Sequence, residues 1–197
     1  MKRLLVATTN RGKLVEIQRI LAGIDFDVVT LDAWPHVAAP AETGRTFDEN
    51  ARAKAEYYAR ATGELTVAED SGLEIDALGG APGVESARFG GVQTTYPEKF
   101  SMIYDALRAA GAPTSSARFV CALTLARPDA TIFETRATVE GRIASTPRGS
   151  GGFGYDPIFF YPPFGRTLAE VGTRKTEVSH RGQAFRALRA FLEQHSV

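Results

Sequence analysis

Two adjacent carboxylates, Glu69 and Asp70, are the strongest candidates for chemistry in the sequence. They follow an apolar segment, residues 65–68, that predicts a short strand, and they precede Ser71 and Gly72, which predict a turn. Successive side chains of a strand point to opposite faces, so we expect only one of the two acids to be central. A carboxylate at this place can ligate Mg²⁺ or position a water molecule, although surface turns also contain Asp-Ser-Gly.

A polar segment between the first predicted strand and the first predicted helix is a candidate phosphate site. Backbone N–H groups and the positive end of the helix dipole attract phosphate there, and a lysine adds a full charge. The segment consists of Thr8, Thr9, Asn10, Arg11, Gly12 and Lys13. It is not a Walker A loop, because Ala7 and Leu14 stand where that motif needs Gly and Ser or Thr. A helix-capping turn with a solvated lysine is the alternative.

A second candidate is the glycine-rich segment 149–154, which matches the spacing G-x-G-x-x-G. A dinucleotide fingerprint must open a helix, whereas Asp156, Pro157 and an aromatic run follow here. The glycines instead let the backbone approach a ligand, with Phe153 or Tyr155 as a ring on which a base can stack. A flexible loop with an aromatic side chain in the core is the alternative.

Cationic and polar side chains on two predicted helices complete the candidate set. Lys175, His180 and Arg181 lie near the start of the last helix. Arg181 opposes the helix dipole there, which indicates a compensating anion or another partner. Asn50 and Lys54 are four residues apart on the second helix, beside an alanine-rich face. The alternatives are a polar surface histidine at position 180 and a solvated helix face at Asn50 and Lys54.

Strands and helices must bring these residues together. Hydrophobic patterns predict strands at residues 4–8, 27–31, 65–68, 117–126, 131–143 and 158–161. Helices are predicted from about residue 13, after capping boxes at Thr46 and Thr95, and over residues 179–194. A short turn separates the two longest strands, which predicts an antiparallel hairpin. The order of elements therefore predicts an α/β fold with a mixed sheet.

The composition excludes several classes of protein. The 197 residues carry 23 Lys and Arg against 23 Asp and Glu, and this zero net charge argues against a protein that coats nucleic acid or an anionic membrane. No apolar run approaches the about 20 residues of a membrane helix. The single cysteine, Cys121, lies in an apolar segment, suits a reducing compartment and is expected to fill the core. We therefore expect a cytoplasmic protein whose residues 1–197 form a single domain.

A phosphate-binding turn, cations, an acid for a metal, an aromatic ring and a glycine-rich segment together are typical of an enzyme that acts on nucleotide phosphates. The blocks that carry these residues resemble the inosine triphosphate pyrophosphatase family, also called Ham1-like. They are TTNRGK at 8–13, ETG at 42–44 with TF at 46–47 and ENA at 49–51, AEDSGL at 68–73, LGGAPG at 78–83, GFGYDP at 152–157 and SHRG at 179–182. The resemblance extends over nearly the whole chain.

The resemblance implies two α/β lobes around a long mixed sheet, with the active cleft between them, usually in a homodimer. It implies hydrolysis of ITP, dITP and XTP to the monophosphate and pyrophosphate with Mg²⁺. Asp70 is then the catalytic acid and metal ligand, while Ser71 and residues 8–13 hold the phosphates. The residues implied to flank the nucleoside are Phe153, Gly154, Tyr155 and Asp156, and those implied to contact phosphate and base are Lys175, His180 and Arg181.

Two positions depart from the family pattern. Many relatives carry two acids where this chain has Ala41 and Glu42, so Glu42 is the candidate to replace the missing metal ligand. Many carry two aspartates where this chain has Glu69 and Asp70, a change that keeps the charge. Two alternative functions stay open, a pyrophosphatase that prefers pyrimidines or other modified bases and a nucleotide sensor without catalytic activity.

Overall fold

The computed structural model describes residues 2–195, which form seven strands and five helices. The strands are β1 (Arg3–Val6), β2 (Asp27–Thr30), β3 (Leu65–Ile75), β4 (Ser116–Ala126), β5 (Thr131–Ile143), β6 (Phe159–Tyr161) and β7 (Arg166–Thr167). The helices are α1 (Arg11–Ile20), α2 (Phe47–Thr62), α3 (Tyr96–Ala109), α4 (Lys175–Val178) and α5 (His180–Gln194). Within the described residues, no helix is long and apolar enough to cross a membrane.

The strands form one mixed sheet with the order β2-β1-β3-β4-β5-β6-β7. Strand β1 pairs in parallel with β2 and with β3, whereas β6 pairs antiparallel with β5 and with β7. Strands β4 and β5 are neighbours, and in the turn between them the Arg127 amide donates a hydrogen bond of 2.8 Å to the Ala130 carbonyl oxygen. The predicted α/β fold with a mixed sheet is confirmed, and so is the predicted hairpin.

The chain divides into two compact units. The first unit contains the residues up to Asp70, Cys121–Ala137, and the residues from His180 onward. The second unit contains Ser71–Val120 and Thr138–Ser179. Strands β3, β4 and β5 each contribute residues to both units. The assignment of the whole chain to a single domain stays a prediction.

The core of the first unit contains the helix faces that the sequence predicts. Ile17 of α1 and Phe185 and Leu188 of α5 are buried in one apolar cluster with side chains of β1 and β4. Ala55 and Tyr58 of α2 are buried in a second cluster with side chains of β1 and β3. Burial of each large apolar side chain contributes about 1.5–3 kcal/mol, so the two clusters fix α1, α2 and α5 on the sheet.

Helix α2 begins at the predicted capping box. The Glu49 amide donates a hydrogen bond of 3.1 Å to Thr46 Oγ1, and the Thr46 amide donates one of 3.3 Å to the Glu49 carboxylate. A cap of this kind contributes about 1 kcal/mol and fixes the residue at which the helix starts. The cap therefore sets the position of Asn50 and Lys54 in the first turns of α2.

The second unit has its own core around α3. Phe100, Ile103 and Leu107 of this helix are buried with side chains from β3, β4, β5 and β6. The rings of Phe119 and Phe159 lie within this cluster with their centroids 4.6 Å apart. Apolar positions three and four residues apart on α3 thus form the buried face that an amphipathic helix requires.

Strand β3 and the segment before α5 differ from the prediction. The sequence predicts a strand at 65–68 and a turn at Ser71 and Gly72, but β3 runs without interruption from Leu65 to Ile75. A β-carbon built at Gly72 would lie 2.3 Å from Ser86 Oγ and 2.6 Å from the Gly83 carbonyl oxygen. The prediction of a turn is therefore wrong. Gly72 lies within the strand, and its missing side chain leaves space for Ser86 and for the backbone of Gly83. Helix α4 is a further element that the sequence did not predict.

Gly72→Ala is expected to lower the free energy of unfolding by about 2–3 kcal/mol, because Ser86 and the Gly83 backbone must both move. Urea denaturation measures this loss. Gly23→Ala is the matched control, since no atom lies within 4 Å of its β-carbon position and only its φ of +80° opposes the substitution, at a cost of about 1 kcal/mol. Equal losses at the two glycines would contradict a steric role for Gly72.

Candidate active site

The polar segment 8–13 forms the N-terminus of α1. The Asn10 side chain caps the helix by accepting a hydrogen bond of 3.1 Å from the Lys13 amide. The Asn10 amide in turn donates a hydrogen bond of 3.2 Å to Thr8 Oγ1. Thr9, Asn10 and Arg11 are exposed, so this helix end can be reached from solvent. Its backbone amides and the helix dipole are suited to an anion.

Glu69 is the centre of a buried ionic group in the first unit. Its side chain is 1% exposed and forms ion pairs with Lys13 Nζ at 2.8 Å and with Arg181 Nε at 3.3 Å. Burial opposes the charge of Glu69, but Arg181 and Lys13 outweigh it and hold the pKa of this carboxyl well below its usual value. The alternative of a solvated Lys13 is wrong, because its side chain is mostly buried in this pair.

Arg181 has the compensating anions that its place at a helix N-terminus predicts. The residue is 2% exposed, and besides Glu69 its Nη1 contacts Glu16 Oε2 of α1 at 2.8 Å. Cys121, which is fully buried as predicted, donates a hydrogen bond of 3.5 Å from Sγ to Glu69 Oε2. The guanidinium thus connects α5, α1 and β3 through two carboxylates.

Asp70 lies next to Glu69 on β3 and contacts different side chains. It is 7% exposed and accepts a hydrogen bond of 3.0 Å from Asn50 Nδ2. The Asn50 Oδ1 atom accepts one of 2.8 Å from the Gly44 amide, which fixes the orientation of the side-chain amide. Burial raises the pKa of Asp70, and the charge of Lys54 and the hydrogen bond from Asn50 offset this in part.

Lys54 connects the two acids of β3 to Glu42. Its ammonium forms an ion pair with the Glu42 carboxylate and donates a hydrogen bond of 3.3 Å to the Glu69 carbonyl oxygen. Burial lowers the pKa of Lys54, but Glu42 and Asp70 outweigh it and raise the pKa overall. The expectation of a solvated helix face is therefore wrong for Lys54, and it is wrong for Asn50, which is 2% exposed. We call Glu69, Asp70 and their partners Lys13, Asn50, Lys54 and Arg181 the β3 cluster.

The carboxylates of Asp70 and Glu42 can hold a hard metal ion only if other ligands contribute. Within residues 2–195, no group of three or more His, Cys, Asp and Glu side chains is arranged to hold a metal. Asp70 and Glu42 both interact with Lys54, so they lie in one neighbourhood. Mg²⁺ characteristically binds one or two carboxylates and completes its octahedron with water and substrate phosphates. The chemistry of Asp70 and Glu42 is compatible with that mode of binding.

The second unit holds a separate polar group in the turn 152–156. The Asp156 carboxylate accepts hydrogen bonds from Lys175 Nζ at 2.6 Å and from the Phe153 amide at 2.8 Å. The Lys175 ammonium also lies 4.5 Å from the centroid of the Phe153 ring. Gly152 has a φ of +70°, and a β-carbon there would lie 2.1 Å from Asp156 Oδ2. Glycine at position 152 therefore leaves the space in which the Asp156 carboxylate accepts the hydrogen bond from the Phe153 amide.

Tyr155 occupies the core position that the alternative for the glycine-rich segment predicts. It is 3% exposed, and its hydroxyl donates a hydrogen bond of 2.8 Å to the Ser86 carbonyl oxygen. Gly152 is exposed and Phe153 and Gly154 are only partly buried, so these three residues are the members of the turn that a ligand can reach. Tyr155 thus anchors the turn to the core of the second unit.

His180 and Ser71 complete the set of predicted residues. His180 is 4% exposed at the start of α5, so the alternative of a surface histidine is wrong. Ser71 is partly buried within β3.

The predicted site residues are distributed over both units. Those in the first unit are Thr8 to Lys13, Glu42, Asp70, His180 and Arg181, and those in the second unit are Ser71, Phe153 to Asp156 and Lys175. Glu16 is a member of the ionic group that sequence reasoning missed.

The chain is similar to known proteins over most of its length. The model of the Ham1 family matches residues 4–191. The dITP/XTP pyrophosphatase of Gloeobacter violaceus is 49% identical over 189 residues, which cover 95% of this chain and 93% of the relative. The dITP/XTP pyrophosphatase of an Exiguobacterium species is 44% identical over 189 residues, which cover 95% of each chain. The solved structure of a Ham1 protein from Coxiella burnetii superposes with a TM-score of 0.92 at 39% identity, and the match covers 99% of this chain and 100% of that one.

The fold and the β3 cluster define an α/β protein with a mixed sheet and a buried carboxylate on a central strand, Glu69, that is paired with a lysine. The chain belongs to the Ham1 family, since the family model covers residues 4–191 and the relatives match nearly the full length of the chain. The resemblance drawn from the six sequence blocks is therefore confirmed. Pyrophosphatases of this family generally depend on a divalent metal ion.

Proposed function

We propose that this protein hydrolyses deaminated purine nucleoside triphosphates, namely dITP, ITP and XTP, to the nucleoside monophosphate and pyrophosphate. The observation that carries the proposal is the β3 cluster, in which the buried carboxylate of Asp70 accepts a hydrogen bond from Asn50 and interacts with the charge of the mostly buried Lys54. Relatives that are 44% and 49% identical over 95% of the chain are named dITP/XTP pyrophosphatases, which supports the substrate class. Such an enzyme removes deaminated purines from the nucleotide pool.

The N-terminus of α1 is proposed to hold the phosphates together with Lys13 and Lys54. Phosphoryl transfer is catalysed mainly by positioning and by neutralising charge on the phosphate oxygens. Lys13 and Lys54 are ammonium groups already held in fixed places by Glu69 and Glu42. Arg181 is proposed to act mainly by holding Glu69, because two carboxylates already contact its guanidinium. We therefore expect the phosphates to contact the ammonium groups of Lys13 and Lys54 more directly than the guanidinium of Arg181.

Asp70 is proposed as the group that orients and deprotonates the attacking water. Asn50 fixes the carboxylate, and the raised pKa of Asp70 makes it a stronger base than an exposed aspartate. Asp70, with Glu42 beside Lys54, would hold Mg²⁺. When bound, the ion would neutralise charge on the phosphate oxygens and on the leaving pyrophosphate.

The nucleoside is proposed to bind the second unit through Phe153 and Gly154. The partly buried Phe153 ring is proposed to stack on the base, while Lys175 and Asp156 fix the turn that carries it. Hypoxanthine and xanthine present O6 as an acceptor and N1–H as a donor, and adenine reverses both. A hydrogen-bond donor that pairs with O6 would leave adenine with an unpaired group.

The proposal is tested by incubating the protein with dITP, ITP, XTP, ATP, GTP and dUTP in the presence of Mg²⁺. We expect pyrophosphate and monophosphate from the first three nucleotides, and at least about 100-fold lower kcat/KM for ATP, the discrimination typical of a buried hydrogen-bonding mismatch. Orthophosphate as the product would contradict the assignment. Preferred cleavage of dUTP would favour a pyrimidine enzyme, and tight binding without any product would favour a sensor.

Removal of divalent metal ions is expected to abolish turnover and to leave the fold unchanged. The carboxylates Asp70 and Glu42 already have partners in Asn50 and Lys54, so the fold does not depend on a metal. Chelation followed by addition of Mg²⁺ should restore the rate, and circular dichroism should not change. Full activity after exhaustive chelation would contradict the proposed metal site.

The family resemblance further supports three proposals about the protein's setting. The partner is a small nucleotide rather than a nucleic acid or a membrane, in line with the zero net charge. The protein is proposed to be a homodimer in the cytoplasm. Sedimentation equilibrium of the purified protein tests the dimer, and a monomeric mass at micromolar concentration would contradict it.

A further inference from the structure

Tyr96, the first residue of α3, lies directly beside the turn 152–156 in the second unit. A β-carbon built at Gly154 would be 3.6 Å from Tyr96 Oη and 3.7 Å from two carbons of the ring, which is van der Waals contact. The charge of Asp156 acts on the Tyr96 hydroxyl as well. Tyr96 therefore flanks Gly154, which belongs to the part of the turn that a ligand can reach.

Three neighbours hold the Tyr96 ring in place. Tyr155 meets it edge to face with the centroids 5.3 Å apart, and Phe100 lies 6.3 Å away. The Lys99 ammonium lies 4.9 Å from the ring centroid and donates a hydrogen bond of 2.5 Å to the Ala87 carbonyl oxygen. Aromatic and cation–π contacts of this kind are attractive and directional, so together they orient the side chain.

The hydroxyl of this oriented ring stays available for a ligand. Tyr96 is 36% exposed, and its hydroxyl makes no hydrogen bond to any other group of residues 2–195. Burial of the ring and the charge of Asp156 raise its pKa, so the hydroxyl is a protonated donor at neutral pH. A rigid ring with a free, exposed hydroxyl is the arrangement expected of a binding residue.

We propose that Tyr96 is a substrate-binding residue, whose ring forms one wall beside the turn 152–156 and whose hydroxyl hydrogen-bonds to the nucleoside. This inference rests on the proposed function, because that function assigns the nucleoside to Phe153 and Gly154. It adds a residue that lies outside the six sequence blocks and that no sequence motif indicated. The hydrogen bond forms in the substrate complex and does not change during hydrolysis, so it contributes to binding rather than to turnover.

Tyr96→Phe removes the hydroxyl and keeps every ring contact. We expect KM for dITP and for ITP to rise about fivefold to tenfold, the effect of one lost hydrogen bond, with kcat within twofold of the wild type. Tyr104→Phe is the matched control on the same helix, because the Tyr104 hydroxyl is buried without a partner among the described residues. Removal of that hydroxyl should leave KM unchanged. An unchanged KM in Tyr96→Phe would overturn the proposal.

Calorimetric titration with dIMP separates this inference from the proposed function. The dissociation constant of dIMP should rise about fivefold to tenfold in Tyr96→Phe and stay unchanged in Tyr104→Phe. A wild-type protein that binds dIMP through Tyr96 and does not hydrolyse dITP would refute the function and support the binding role. Equal dIMP affinity in wild type and Tyr96→Phe would refute the binding role whatever the activity.

Discussion

Asp70→Asn is expected to lower kcat for dITP by about 1,000-fold or more and to leave the fold intact. A positioned general base contributes about 10²–10⁴-fold to a rate, and Asp70 is also the proposed metal ligand. Asparagine has nearly the same shape, and its oxygen can still accept the hydrogen bond from Asn50 Nδ2. Steady-state kinetics with pyrophosphate detection measures the loss, and thermal unfolding checks that the fold is retained.

Asp129→Asn is the control for this substitution. Asp129 is exposed in the turn between β4 and β5. Its substitution makes the same change of charge at a position that is not part of the β3 cluster. Its kcat should equal that of the wild type. Hydrolysis of dITP by Asp70→Asn at a rate near that of the wild type would reject Asp70 as the general base and metal ligand.

Glu69→Gln is expected to have the largest effect on stability, a loss of about 3–5 kcal/mol in the free energy of unfolding. The substitution leaves the buried ammonium of Lys13 and the buried guanidinium of Arg181 without their shared carboxylate. Chemical denaturation monitored by circular dichroism measures the loss. Glu193→Gln breaks an exposed pair with Arg189, which contributes about 0.3–0.5 kcal/mol. Similar losses in the two variants would contradict the role of Glu69 as the shared partner of Lys13 and Arg181.

The same ion pairs give the stability a defined dependence on pH. The pKa of Glu69 is lowered in the folded protein, so the unfolded chain takes up a proton first as the solution becomes acidic. The contribution of Glu69 is complete above its ordinary pKa of 4.5 and is lost progressively as the pH falls below that value. Denaturation between pH 7 and pH 3 should therefore show a steeper decline for the wild type than for Glu69→Gln.

Local signals made the elements of this chain predictable. The capping box at Thr46 gives the start of α2, and the spacing of Phe185 and Leu188 gives the buried face of α5, because both depend on residues within one or two turns. The mixed sheet followed from a hairpin, whose strands must be antiparallel. Residues close in sequence were thus sufficient for the fold class.

The partners of the buried charges could not be predicted, because they come from distant parts of the chain. Arg181 contacts Glu16, which is 165 positions away, and Glu69, which is 112 positions away. Without these partners, Lys13 has the pattern of an ordinary solvated side chain. Gly72 presents the same problem, since its role depends on contact with Ser86 from a later segment. Only the tertiary structure distinguishes a turn glycine from a packing glycine.

Hydrolysis of dITP in H₂¹⁸O tests the central claim most directly, namely that water attacks the α-phosphorus and pyrophosphate leaves. Mass spectrometry of the products locates the label. We predict one ¹⁸O atom in dIMP and none in pyrophosphate, and no labelled product from Asp70→Asn in the same time. Label in pyrophosphate, or labelled orthophosphate, would show attack at the β- or γ-phosphorus and would contradict the proposed reaction.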